Sequence, residues 1–67
     1  MVDNLSIGQI AGDVLKYLEE FGEVTSFQLK VSFSVSNSKL FLALGWLLRE
    51  EKIVIEPLDK GYKIRKI

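Results

Sequence analysis

The stretch Ser36-Asn37-Ser38-Lys39-Leu40-Phe41-Leu42-Ala43-Leu44-Gly45-Trp46-Leu47-Leu48-Arg49-Glu50 decides the reading of this chain. It predicts one helix, opened by Ser36 as N-cap. At about 100° per residue, Leu40, Ala43, Leu44, Leu47 and Leu48 share one stripe, which is the expected core face. Leu42, Gly45 and Trp46 fall on the opposite side with Ser38 and Arg49, and Phe41 lies at the border. A helix that is apolar nearly all round needs cover on both sides. In a small protein the second cover is expected to come from another molecule.

Upstream, the apolar positions Ile7, Ile10, Ala11, Val14, Leu15, Leu18 and Phe21 follow helical period. Ser6 with Gln9 has the spacing of a capping box, and Leu5 with Ile10 that of a hydrophobic staple, so this helix is expected to open at Ser6. Gly8 and Gly12 weaken it and lie on one side, where another backbone can approach. Gly22 is the expected C′ residue. Glu23-Val24-Thr25 is long enough for a strand fragment only. Thr25 with Gln28 forms a second capping box, predicting a short helix over about Ser26–Ser32 with Leu29 inward. Phe33 and Val35 straddle a tight turn and are expected in the core. Tyr17 and Phe27 are expected in the core or at its edge.

Downstream of Glu51-Lys52 the period changes to two. Ile53-Val54-Ile55-Glu56 reads as a strand closed by Pro57. Leu58-Asp59-Lys60-Gly61 supplies a turn, with Gly61 free to take positive φ. Tyr62 to Ile67 alternates again and completes a hairpin, with Lys63 and Arg65 on one face and Tyr62 and Ile64 on the other.

The order helix, short strand, helix, helix, strand, strand resembles a winged helix-turn-helix domain. Thr25 to Lys52 resembles the helix-turn-helix and Ile53 to Ile67 the wing. Gly22-Glu23-Val24, together with Leu42-Ala43-Leu44-Gly45-Trp46-Leu47-Leu48-Arg49-Glu50-Glu51-Lys52-Ile53, is similar to a small bacterial family of stand-alone winged-helix domains of unassigned function. One departure is Ser34, where such turns often carry glycine. The resemblance implies an α+β fold in a single domain over residues 1–67, with three helices, a short strand after the first, and a C-terminal two-stranded wing. Winged helices read DNA, bind RNA or serve as protein–protein modules, so the fold leaves the function open.

Composition narrows the choice. The chain has 67 residues, no cysteine and no histidine. A core of that size rarely supplies more than roughly 3–5 kcal/mol, and with no disulfide or thiolate metal site, oligomerisation is the remaining common support. No carboxylate cluster has calcium-loop spacing, so no metal or cofactor is expected. Nor is a small-molecule ligand evident. Serine without a histidine base makes no nucleophile. Glu19-Glu20 and Glu50-Glu51 diverge on their helices, and no glycine-rich phosphate loop is present. A non-enzymatic protein is expected. No apolar run approaches the roughly 20 residues that span a bilayer, and no basic n-region with an h-region opens the chain, so a cytoplasmic location is expected.

Nine basic and nine acidic side chains balance, a poor start for holding polyphosphate. The distribution is polar, however. Residues 1–23 hold Asp3, Asp13, Glu19, Glu20 and Glu23 against Lys16, whereas the last eight residues hold Lys60, Lys63, Arg65 and Lys66 with no acid. Two functional readings follow. The first is an interaction module, expected to form a homodimer or to bind another protein through Phe41, Leu42, Gly45 and Trp46. The second is a DNA-binding regulator, with Asn37, Ser38 and Lys39 at the bases and Lys60, Lys63 and Arg65 on phosphates. Keeping an edge strand soluble is a simpler role for the wing cations, and charge balance with the acidic first helix, within or between subunits, is another.

Overall fold

The computed structural model describes residues 4–67, with side chains from Ser6 onward. The elements run α1 (Asn4–Phe21), β1 (Glu23–Thr25), α2 (Ser26–Phe33), α3 (Asn37–Arg49), β2 (Ile53–Pro57) and β3 (Tyr62–Lys66). Ile7, Ala11, Val14 and Leu18 recur at helical spacing on α1 and are buried against Leu40, Ala43, Leu44 and Leu47 of α3. Leu29 closes this core from α2, and Val24, Ile53 and Ile64 close it from the sheet.

Residues α1 needs for its start differ from expectation. The chain is already helical at Asn4, the first described residue, so Ser6 lies inside the helix and does not stand at its N-cap. Ile7, in the same turn, is buried in the core. The Leu5–Ile10 staple lies outside the described residues. At the other end, Gly22 takes φ +82° and its N–H donates to the Leu18 carbonyl at 2.7 Å, closing the helix as expected.

The second capping box is present in both directions. Gln28 N–H donates to Thr25 Oγ1 at 3.1 Å, and Thr25 N–H donates to Gln28 Oε1 at 2.8 Å. The α2–α3 turn passes through Ser34 in the left-handed region, φ 51°, ψ 42°. This is the backbone that glycine usually supplies in such turns, and the serine takes it at some conformational cost. Phe33 and Val35 flank the turn and pack, partly buried, on the core. Tyr17 joins them: its ring meets Phe33 edge-on at 5.5 Å and its hydroxyl lies 3.2 Å from Ser32 Oγ.

Two apolar side chains depart from their expected burial. Phe27 is 72% exposed. The eight-residue α2 buries Ser26 and Leu29, and Phe27 and Val31, four residues apart, share the opposite side. Leu48 is 45% exposed and does not belong to the core stripe. The stripe is centred among Leu40, Ala43, Leu44 and Leu47, which leaves Leu48 about 90° from its middle.

The sheet is antiparallel in the order β1-β3-β2, so the short strand after α1 completes a three-stranded sheet with the hairpin. Val24, Ile64 and Ile55 stand side by side in register and face inward. The intervening positions, Glu23, Thr25, Lys63, Arg65, Val54 and Glu56, face the other way. Ser26 ties sheet to helices. It is buried, and its hydroxyl accepts from Tyr62 N–H at 3.1 Å, a donor that faces Pro57 across the hairpin. Gly61 makes room for that contact. A β-carbon there would stand 2.8 Å from Ser26 Oγ, and φ is +82°.

Candidate interaction surface

Ser36 caps α3 by accepting from Lys39 N–H at 3.2 Å. The far end is closed by a Schellman pattern, in which Lys52 N–H donates to Leu47 O and Glu51 N–H to Leu48 O, each at 3.0 Å. Glu51 takes the left-handed position, φ 58°. Helix α3 is therefore capped at both ends within the protomer, and its 13 residues lie over the core.

The side of that rod away from the core is apolar. Phe41, Leu42, Trp46 and Leu48 are 39%, 50%, 40% and 45% exposed, and Gly45 lies exposed among them. Phe41 leans on the wing, meeting Tyr62 edge-on with ring centroids 5.7 Å apart. Tyr62 thus packs its ring on α3 while pairing with Pro57 across the hairpin. Phe41, Gly45, Leu48, Ile55 and Tyr62 border an open groove of about 190 Å³ between α3 and the wing. On the opposite flank Trp46 lies across α1, where a β-carbon on Gly8 would meet its ring at 3.5 Å. Trp46 is thus folded against the protomer along one edge while two-fifths of it remains open.

The structure separates the residues expected to touch nucleic acid. Asn37 and Ser38 are exposed at the start of α3, and Lys39 is half-buried. Lys63 and Arg65 lie on the outer face of the sheet, which points away from the helices. There they meet acids: Lys63 Nζ lies 3.8 Å from Glu23 and 3.9 Å from Glu56, and Arg65 Nε donates to Glu56 Oε1 at 3.2 Å. Lys66 reaches α1 and pairs with Glu19 at 3.3 Å. That contact is the charge balance between tail and first helix anticipated from composition. Lys60 makes no ion pair among the described residues. It borders, with Lys30, Asn37, Phe27 and Phe41, a groove of about 490 Å³ between the helix-turn-helix and the wing tip.

Lys30 and Leu48 carried no prior signal as surface residues. Lys30 becomes relevant only because the hairpin tip folds back beside α2. Glu56 opposite Lys63 was legible, because closing the hairpin at Pro57 and Tyr62 pairs them directly. Glu19 and Glu23 required the tertiary fold. Among the described residues, no group of acidic side chains is placed to hold a metal ion, and no single helix is long and apolar enough to cross a membrane.

Helix α2, its left-handed turn and α3 make a helix-turn-helix, and β2 with β3 makes a wing closed on it by Ser26. This is a winged helix-turn-helix domain. The chain belongs to the family described as Winged helix-turn-helix domain (DUF2582), whose model matches residues 1–66. It is similar to the solution NMR structure of protein BT2368 from Bacteroides thetaiotaomicron, at 32% identity and a TM-score of 0.80, over 97% of this chain and 79% of that one. No curated protein matches.

Proposed function

We propose that this domain is a non-enzymatic, cytoplasmic interaction module that associates with a second copy of itself through the outer face of α3. One observation carries the reading: Phe41, Leu42, Trp46 and Leu48 stand about half-exposed on the outer side of α3. Contiguous apolar surface of this kind marks interfaces in soluble proteins, and tryptophan is enriched at their energetic centres. A second copy suits the face because charge enters only at its ends, at Lys39 and Arg49. In a twofold contact each patch meets itself, and an uncharged middle from Phe41 to Trp46 keeps like charges out of the centre of the contact.

The magnitudes predict a weak dimer. Completing the burial of a half-exposed side chain of this size is worth about 1 kcal/mol. Four on each copy give about 8 kcal/mol, comparable with the roughly 4–15 kcal/mol that association costs in lost freedom. At the low end of that cost the balance is about 4 kcal/mol, a dissociation constant of about 1 mM. Sedimentation of the wild type at several hundred micromolar, beside Leu42→Asp and Trp46→Glu, tests this. A concentration-dependent dimer abolished by either change supports the reading, and a wild-type monomer at that concentration refutes it.

A second reading has a specific observation in its favour. Lys30, Asn37 and Lys60 share one groove with Phe27 and Phe41, a basic and aromatic combination suited to nucleic acid. Under this reading the domain is a DNA-binding regulator that uses the start of α3 and the wing tip. Binding to random duplex at low salt, weakening steeply as salt rises, would support it. No binding at low salt removes it. The first reading is preferred because Lys63 and Arg65 are engaged by Glu23 and Glu56 and face away from this groove.

A further inference from the structure

We infer that the groove between the helix-turn-helix and the wing tip takes single-stranded DNA, which rests on the second reading above and replaces its duplex by a strand. The groove has a volume of about 490 Å³ and is bordered by Phe27 and Lys30 of α2, Asn37 and Phe41 of α3, and Lys60 of the hairpin tip. Its charge has one sign. Asp59, beside Lys60 in the chain, is not among the bordering residues. Other grooves of this surface differ. The one beside Trp46 mixes Glu50 with Lys52, and the one beside Tyr17 mixes Asp13 and Glu20 with Lys16. The one between Leu48 and Ile55 holds no charge. Neither Lys30 nor Lys60 makes an ion pair among the described residues, whereas Lys63, Arg65 and Lys66 all do.

Phe27 adds an independent observation. At 72% it is the most exposed large apolar side chain among the described residues. Tyr17, Phe21, Phe33, Phe41 and Tyr62 each meet another ring, and Phe27 meets none among the described residues. A bare ring beside two cations offers what a nucleotide needs, a stacking face and a phosphate partner.

The scarcity of cations decides between strand and duplex. Non-specific duplex affinity is almost wholly electrostatic, and tight duplex binders make roughly 6–10 phosphate contacts. The groove has two lysines, and half-buried Lys39 brings the count at this end of α3 to three. Further along α3 the exposed side chains include Leu42, Trp46 and Leu48, and Arg49 at the end stands beside Glu50 and Glu51. With so few cations the affinity has to come from stacking, worth roughly 5–150-fold per base. A duplex hides its base faces and a single strand exposes them. DNA fits better than RNA, because 2′-hydroxyls need partners. Apart from Asn37 the uncharged polar side chain here is Ser26, whose hydroxyl already accepts from Tyr62 N–H. An acidic peptide would also satisfy the lysines, but no bordering residue lies in a strand with which its backbone could pair.

Anisotropy titrations at low salt compare a labelled oligothymidylate of about 12 nucleotides with an abasic oligomer of the same charge, a random duplex, an oligouridylate and polyglutamate. The oligothymidylate should bind at least about fivefold more tightly than the abasic oligomer. Phe27→Ala should erase that difference and Phe27→Tyr should keep it, and both variants should stay folded because the ring is exposed. Lys30→Gln and Lys60→Gln should each lower the salt slope by about 0.7. An oligothymidylate no tighter than the abasic strand, or one indifferent to Phe27→Ala, overturns the inference. A tighter duplex overturns it and leaves the second reading standing. Tighter oligouridylate overturns the choice of DNA, and equal binding of polyglutamate overturns the inference in favour of an acidic peptide. Binding of none of these probes removes this inference and the second reading together, and leaves self-association untouched.

Discussion

The outer face of the sheet carries Glu23, Glu56, Lys63 and Arg65 and pairs them with one another, whereas the outer face of α3 carries Phe41, Leu42, Trp46 and Leu48 and leaves them half-open. Both faces look outward from the same small core. On the sheet, direct cross-strand neighbours lie within reach of one another, so opposite charges neutralise locally. On α3 the exposed side chains diverge from a convex rod. Its two flanks lean on the rest of the protomer, Phe41 at Tyr62 and Trp46 beside Gly8. Basic composition at the C-terminal end therefore does not amount to a cationic surface, and apolar composition in α3 does not amount to core.

The largest expected effect tests which apolar side chains belong to which surface. Leu44→Ala should lower stability by about 2–5 kcal/mol, because it empties a fully buried site. Leu48→Ala, at a half-exposed one, should cost less than about 1.5 kcal/mol, roughly half a full burial. Urea unfolding of the two variants makes the comparison, and equal losses would return Leu48 to the core. Next comes association: Leu42→Asp should weaken the dimer by about a hundredfold, close to 2.8 kcal/mol, while moving the monomer's stability by no more than about 0.5 kcal/mol. A variant that unfolds instead would mean Leu42 supports the fold.

The joint between the two regions is testable at Gly61. Gly61→Ala forces a β-carbon against Ser26 Oγ at positive φ and should destabilise by about 1–3 kcal/mol. Thermal melts beside Ser26→Ala, which strands the Tyr62 N–H and should cost about 1–3 kcal/mol, show whether the wing is fastened there. The smallest effect belongs to the sheet face. Glu56→Gln releases Lys63 and Arg65 from a shared acid and should change stability by less than about 1 kcal/mol, as exposed ion pairs do. It should also strengthen low-salt binding to random duplex. Unchanged duplex binding would mean the wing cations are not held in check by Glu56.

Element boundaries were largely legible from residues that act on their immediate neighbours. Thr25 with Gln28, Ser36 at the start of α3, and Gly22 and Gly61 at turns each sit where local chemistry places them. The expected start of α1 at Ser6 is corrected by helix already present at Asn4, because a capping pattern in sequence does not exclude helix upstream of it. Phe27 was misassigned for a related reason. An eight-residue helix can bury one side only, and sequence does not say which neighbour claims it.

By itself, the sequence determined the helices, the hairpin and most of the core, since caps, turns and periodicity act over a few residues. The tertiary structure alone decided that the wing cations meet Glu19 and Glu23, that Lys30 and Lys60 share a groove, and that Phe41, Leu42, Trp46 and Leu48 are left half-open. Those outcomes depend on distances between residues far apart in the chain, and such distances exist only once the core has closed.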